Sequence, residues 1–363
     1  MSVRPTPQPG ILEIAPYKPG RSDTPEGVRL VKLSANESPL GASPRALAAM
    51  RDAIEHPETY PEGSSRLLRE ALGAVHGLDP ERIVCGFGSD DILHLLAQVY
   101  LGRGEEAVMS QYGFNVYPII TRGASAEPVM AAEKDFRADV AALLDAVTPR
   151  TKVVFLANPN NPTGTYLCAE EVDRLHRGLR PDILFVLDSA YAEYVTADDY
   201  SVGIDLVNRA DNAVMVRTFS KMGLGGVRVG WMYGPAHVVD AVNRIRGPFN
   251  VSTVGQAGAA AAVHDTAFTA QLCAHNAKWR DWLTRSLRSN AIQVPPSQGN
   301  FILAVFGDEE VARAAFTALR AKGLIVREMH SYGIPQALRI TIGLEEHMRR
   351  VVDVLREFGA RGE

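Results

Sequence analysis

The sequence predicts an α/β protein in which a largely parallel sheet is buried on both faces by helices, followed by a smaller α+β lobe. Two observations carry this. Short, almost wholly apolar runs such as KVVFLA and ILFVLD alternate with amphipathic helical stretches, the pattern of strands covered on both sides. After VPPSQGN the order changes to FILAVF, helix, LIVRE, LRITIG, helix, which reads as a separate small lobe. At 363 residues the chain is long enough for two such units.

In chain order, residues 1–45 are rich in Pro and Gly around one apolar segment, VRLVKLSAN, and read as an extended arm followed by a strand or turn. SPRALAAMRDAIE opens on Ser-Pro, a helix start, and SSRLLREALGAVHG continues in the same period. IVCGF is a strand and DDILHLLAQVYL a helix. The runs EAVMS, EPVMA, KVVFLAN, ILFVLD and AVMVRTF are strand-like, with DVAALLDAV and AEEVDRLHRGL helical among them. VRVGWMYG follows, then helices across 235–290. The expected division is an arm at 1–45, a large domain at 46–285 and a small domain at 286–363.

Composition narrows the function. Lys plus Arg number 38 and Asp plus Glu 42, a net charge of −4, which argues against broad binding to nucleic acid or anionic membrane. Cys85, Cys168 and Cys273 are too dispersed for a disulfide framework or a zinc site, and the nine histidines form no HExxH-type pair. There is no signal-peptide core and no apolar run of about 18 residues. A reducing cytoplasm is the expected location.

Chemistry-bearing residues gather where strands end, the place where ligands sit in open α/β sheets. GFGSDD (86–91) follows a strand and opens a helix, offering backbone N–H groups and the positive helix end to a phosphate. Read alone, a helix cap at Ser89 or Asp90 explains it equally well. NPNNPTG (158–164) is a turn in which Asn158 or Asn161 presents an amide. Asp188 ends an apolar strand, where a carboxylate needs a cation or donors, and Tyr191 follows. Lys221, in RTFSKMGLGGVRVG, has no acid between Asp211 and Asp240 to pair with locally, and glycines and apolar residues flank it. A desolvated lysine loses its proton readily and becomes a Schiff-base nucleophile.

The order of these elements is what a pyridoxal phosphate site needs. Asp188 keeps the pyridine nitrogen protonated, and Asn161 and Tyr191 serve the ring hydroxylate. Lys221 carries the cofactor and moves a proton at the substrate carbon, while Ser89, Asp90, Ser220 and Arg228 surround the phosphate. A nicotinamide dehydrogenase using GFGSDD leaves Lys221 and Asp188 unexplained.

The chain resembles the fold-type-I pyridoxal phosphate aminotransferases and, within them, the histidinol-phosphate aminotransferase family. The resemblance runs through APYKPG, LSANESPLGASP, TYPEGSSRLLREAL, GFGSDD, NPNNPTG, DSAYAEY, RTFSKMGLGGVRVG and GLIVREMHSYGIPQALRITIG. It implies a mostly parallel seven-stranded sheet, a small domain built from both chain ends, and a homodimer with active sites at the subunit interface. It implies that Phe114 stacks on the cofactor, with Tyr112 the other candidate, and that Tyr60 reaches the neighbouring subunit's cofactor phosphate. It implies Arg339 for the substrate carboxylate, and Tyr17 and Arg327 near the substrate's distal phosphate. The implied reaction is ping-pong transamination between histidinol phosphate and 2-oxoglutarate. The alternatives are an aromatic amino acid aminotransferase and, more remotely, a threonine-phosphate decarboxylase. The chain departs from the family's pattern at Ser189 and Asp91, where glutamate is frequent, and in a Lys221-to-Arg228 spacing one residue short.

Overall fold

The computed structural model describes residues 5–16 and 28–359; Tyr17 therefore lies outside the described residues. After β1 (Val31–Lys32), helix α1 (Pro44–Ala53) starts as expected, with the Ser43 hydroxyl accepting the Ala46 N–H and Pro44 in the first turn. Helix α2 (Arg66–His76), strand β2 (Ile83–Gly86) and helix α3 (Ser89–Tyr100) follow. Then come β3 (Glu106–Ser110), α4 (Val116–Gly123), β4 (Glu127–Ala131) and a small hairpin of β5 (Glu133–Lys134) with β6 (Arg137–Ala138). Helix α5 (Val140–Asp145) leads to β7 (Thr151–Ala157), α6 (Ala169–Gly178) to β8 (Leu184–Asp188), and α7 (Ile204–Arg209) to β9 (Ala213–Thr218). Strand β10 (Gly230–Tyr233) closes the series, and α8 (Ala236–Ile245), α9 (Thr253–His264) and α10 (Thr266–Arg288) succeed it.

These strands form one seven-stranded sheet in the order β2-β10-β9-β8-β7-β3-β4. It is parallel except for β10, which runs antiparallel to both β2 and β9. The apolar runs have a direct physical origin. Val154, Leu156, Phe185, Leu187 and Met215 feed the core on one face, and Val153, Phe155, Val186, Val214 and Val216 feed the core on the other. With both faces dry, the central positions of these strands are mostly apolar, and buried Arg217 in β9 is an exception held by an ion pair with Glu193.

The small lobe holds β11 (Phe301–Val305), α11 (Glu309–Ala321), β12 (Leu324–Ile325), β13 (Arg327–Glu328), β14 (Ala337–Thr341) and α12 (Glu345–Gly359). Strand β14 pairs antiparallel with β11 and β13, and β1 pairs parallel with β12. Its core takes Val31 and Leu33 from near the N-terminus, so both ends of the described chain build it. Helix α10 belongs to two cores. Leu272 packs with Tyr191, Tyr194 and Phe301, whereas Trp279, Leu283 and Leu287 sit in the small lobe. The boundary expected at 285–286 falls in the last turn of this helix.

Candidate active site

The carboxyl ends of β2, β8 and β9 share one edge because these strands run in the same direction, and antiparallel β10 begins at that edge, where Gly230 pairs with both Gly86 and Thr218. Any side chain at Gly230 would strike the backbone of the next turn, since a Cβ there would lie 2.2 Å from Ser89 N. A cavity of about 460 Å³ opens at this edge. Lys221, Asp188, Tyr191, Ser89, Asp90, Phe114, Asn161, Ser220, Arg228, Arg327 and Arg339 all line it.

Asp188 is buried. Tyr117 donates its hydroxyl to Asp188 Oδ2 at 2.8 Å and Ala190 its N–H to Oδ1 at 3.2 Å. Burial pushes the carboxyl up to about 6, the Tyr117 bond pulls it back down, and Asp90 raises it further. Lys221 is shifted the other way. Burial first, then the charges of Arg339 and Arg228, bring the ammonium down to about 8, against an opposing pull from Asp90 and Asp188. Its Nζ stands 5.4 Å from the centre of the Tyr191 ring, and Tyr194 donates its hydroxyl to the Lys221 carbonyl.

The GFGSDD turn is not closed by a side-chain cap. Gly88 occupies the N-cap of α3 at φ 85°, and neither Ser89 nor Asp90 caps the helix. The departure at Asp91 is structural, for its carboxylate accepts the Phe87 N–H at 2.9 Å and the Asn250 amide at 3.0 Å. The short Lys221-to-Arg228 spacing is accommodated by Gly223 at φ +83° and a tight turn over Gly225–Val227. A Cβ at Gly223 would lie 2.0 Å from the Gly41 carbonyl oxygen, so only glycine lets this loop lie so close. Arg228 thereby donates to Ser220 Oγ at 3.2 Å and to Asp90 Oδ2 at 3.4 Å.

Arg339, buried on β14, donates to Asn161 Oδ1 at 2.5 Å and to the Ser34 carbonyl at 2.7 Å, leaving Nε without a partner. Arg327, on neighbouring β13, is also buried. Phe114 reaches the cavity; Tyr112 packs instead against Phe136, ring centres 5.9 Å apart. Asn158 is not a ligand-facing residue, because both ends of its amide are bound to the Leu167 backbone. Ser189 is buried and donates to the Val202 carbonyl. Tyr60 is not brought to this cavity: it is 81% exposed and stacks on Phe249. The sequence reading missed Tyr117, Asn36 and Tyr332, of which the last two also line the cavity.

Residues 28–355 match the family model described as aminotransferase class I and II. The chain belongs to this aminotransferase family. Among curated proteins, this aminotransferase is 55% identical to a histidinol-phosphate aminotransferase of Nitrobacter hamburgensis, covering 99% of each chain. It is 53% identical to the protein of the same name from Nitrobacter winogradskyi, again over 99% of each. The crystal structure of histidinol-phosphate aminotransferase from Sinorhizobium meliloti in complex with pyridoxal-5'-phosphate superposes with a TM-score of 0.86 at 29% identity, covering 91% of both chains.

The residues present fit pyridoxal phosphate, the cofactor of class I and II aminotransferases. The backbone leaves a cradle at Gly88, where a Cβ would sit 2.4 Å from Arg228 Nη2. Gly88→Ala should displace that guanidinium and weaken cofactor binding about 10- to 100-fold, the loss of one charge-assisted hydrogen bond. Equilibrium dialysis against the cofactor measures it; unchanged affinity would remove Arg228 from the phosphate site.

Proposed function

We propose that this aminotransferase carries an amino group between histidinol phosphate and 2-oxoglutarate by a ping-pong reaction on pyridoxal phosphate in this cavity. The observation that carries the reading is one cavity lined by a lysine lowered to about 8, a buried carboxylate, and two buried arginines on adjacent strands. The curated relatives of that name support the choice of substrate.

When bound, pyridoxal phosphate supplies an aldehyde that combines with primary amines and a ring that takes up electrons. The protein supplies the rest. Lys221, whose ammonium burial lowers to about 8, is the attacking amine and then the base and acid at the substrate carbon. Asp188 holds a proton on the ring nitrogen, and Tyr117 orients that carboxylate. Asn161 and Tyr191 serve the ring hydroxyl, Phe114 the ring face, and Ser89, Asp90, Ser220 and Arg228 the phosphate. Arg339 presents a planar fork that suits a carboxylate and a phosphate alike, which lets one pocket accept both substrates. Arg327 stands beside it for the distal anion.

Tyr60 has its role in a homodimer. With Phe249, on which it stacks, it forms an exposed aromatic pair, 81% and 47% accessible respectively. A second copy covering this surface would place Tyr60 at the partner's cofactor phosphate. None of the described helices is long and apolar enough to cross a membrane.

The test is the visible spectrum of the cofactor-loaded protein. Its yellow band should bleach on adding histidinol phosphate, with no comparable change from phenylalanine or threonine phosphate. Bleaching by phenylalanine alone would replace this substrate with an aromatic amino acid.

A further inference from the structure

Asn36 is 1% exposed, lies just beyond β1, and lines the active-site cavity. Its φ of 55° is in the left-handed region, which asparagine tolerates better than most residues. Every polar group of this residue is engaged. Its N–H donates to Thr341 Oγ1 at 2.9 Å, and its carbonyl accepts from Asn300 Nδ2 at 2.9 Å. In the side chain, Oδ1 accepts from Thr341 Oγ1 at 3.0 Å and Nδ2 donates to Tyr191 Oη at 2.9 Å.

The amide orientation follows from this set. Thr341 Oγ1 already accepts the Asn36 N–H, so its own proton needs an acceptor, and Asn36 Oδ1 is the one at hand. The amide nitrogen is then left facing the Tyr191 oxygen. A phenol that accepts an N–H must aim its own proton elsewhere, and its oxygen gains acidity from the donor.

We propose that Asn36 is a positioning residue for Tyr191, holding the phenol as a hydrogen-bond donor toward the cofactor's ring oxygen. The proposal rests on the reading that this cavity takes pyridoxal phosphate. Asn36 also ties that donor to the small lobe, because Thr341 lies on β14 two residues beyond Arg339, the arginine assigned to the substrate. The strand that grips the substrate therefore also holds the group that tunes the ring.

The experiment is a spectrophotometric pH titration of cofactor-loaded protein, with Asn36→Gly, Asn36→Asp, Tyr191→Phe and the double variant Asn36→Gly/Tyr191→Phe. Glycine keeps the left-handed backbone, and aspartate keeps the shape but replaces the donor by an acceptor that pulls the Tyr191 proton out of the cavity. Loss of a donor that favours the deprotonated chromophore should raise the midpoint of the yellow band by about half to one pH unit in Asn36→Gly, the size of one neutral hydrogen bond. Asn36→Asp should raise it further. The double variant should match Tyr191→Phe alone, because the effect passes through that hydroxyl. An unchanged midpoint in Asn36→Gly and Asn36→Asp, or full additivity in the double variant, overturns the role of Asn36. Should Asn36→Gly not fold, Asn36→Asp against wild type decides by the same midpoint. If the loaded wild type shows no yellow band, the cofactor reading itself fails, an outcome distinct from the others.

Discussion

Lys221→Ala should fold, keep its melting temperature or raise it, and lose transamination by at least about four orders of magnitude. The size follows from the number of roles lost together. In the proposed reaction the same amine is the nucleophile for the cofactor aldehyde and the base and acid at the substrate carbon, and among the described residues the only other lysine lining the cavity is Lys32. Lys32 is spoken for by Glu37, 2.8 Å away, and its side chain is 40% exposed. Folding should survive because an ammonium lowered to about 8 is a strain on the structure. The sign is definite: with the folded value below the ordinary one near 10.5, the penalty is present in full below pH 8 and fades as pH rises toward 10.5. In the wild type, borohydride reduction followed by peptide mapping should place a pyridoxyl tag on residue 221. A tag elsewhere, or turnover in Lys221→Ala within tenfold of wild type, would remove this lysine from the chemistry.

Asp188→Asn should cost about two to three orders of magnitude in turnover, since a neutral amide cannot hold the proton that makes the ring electron-poor. The packing is unchanged in volume, and Tyr117 still has an oxygen to donate to. The cofactor-free variant should melt above the cofactor-free wild type at neutral pH. Burial raises the Asp188 carboxyl to about 6, so the ionised side chain opposes folding above that value and the opposition fades as pH falls toward 3.8. Tyr117→Phe gives the intermediate case. Without the bond that favours the carboxylate, the Asp188 value in the cofactor-free protein should rise, and the loss of melting temperature that accompanies its ionisation should extend to higher pH. Equal turnover in Asp188→Asn and wild type would defeat the assignment.

Much of this is legible in the amino-acid sequence, for a physical reason. A strand covered on both faces has to be apolar throughout, so ILFVLD announces both a buried strand and the place where it stops. A carboxylate at that stop is then conspicuous, and so is a lysine among glycines. What stayed hidden depends on distant partners. Tyr117 lies 71 residues from Asp188, and Asn36 lies 155 residues from Tyr191, so no local spacing announces either contact. NPNNPTG offers both Asn158 and Asn161, and the sequence reading places Asn161 at the ring without a local reason to pass over Asn158. Only the fold shows that Asn158 bonds Leu167 and Asn161 faces Arg339. The direction of β10 was equally invisible, since VRVGWMYG reads the same in either sense. The β5–β6 hairpin escaped notice because its strands are two residues each and its turn holds Asp135 and Phe136 at φ of 52° and 61°.

Helix α10 has one further consequence. Its N-terminal half is anchored beside Tyr191 and Tyr194, and its C-terminal half is rooted among Trp279, Leu283 and Leu287. The two lobes are therefore threaded on a common axle and are not beads on a string. Neither can be excised as an autonomous folding unit without stripping the shared rod of half its apolar covering, and heat should melt both in a single cooperative step.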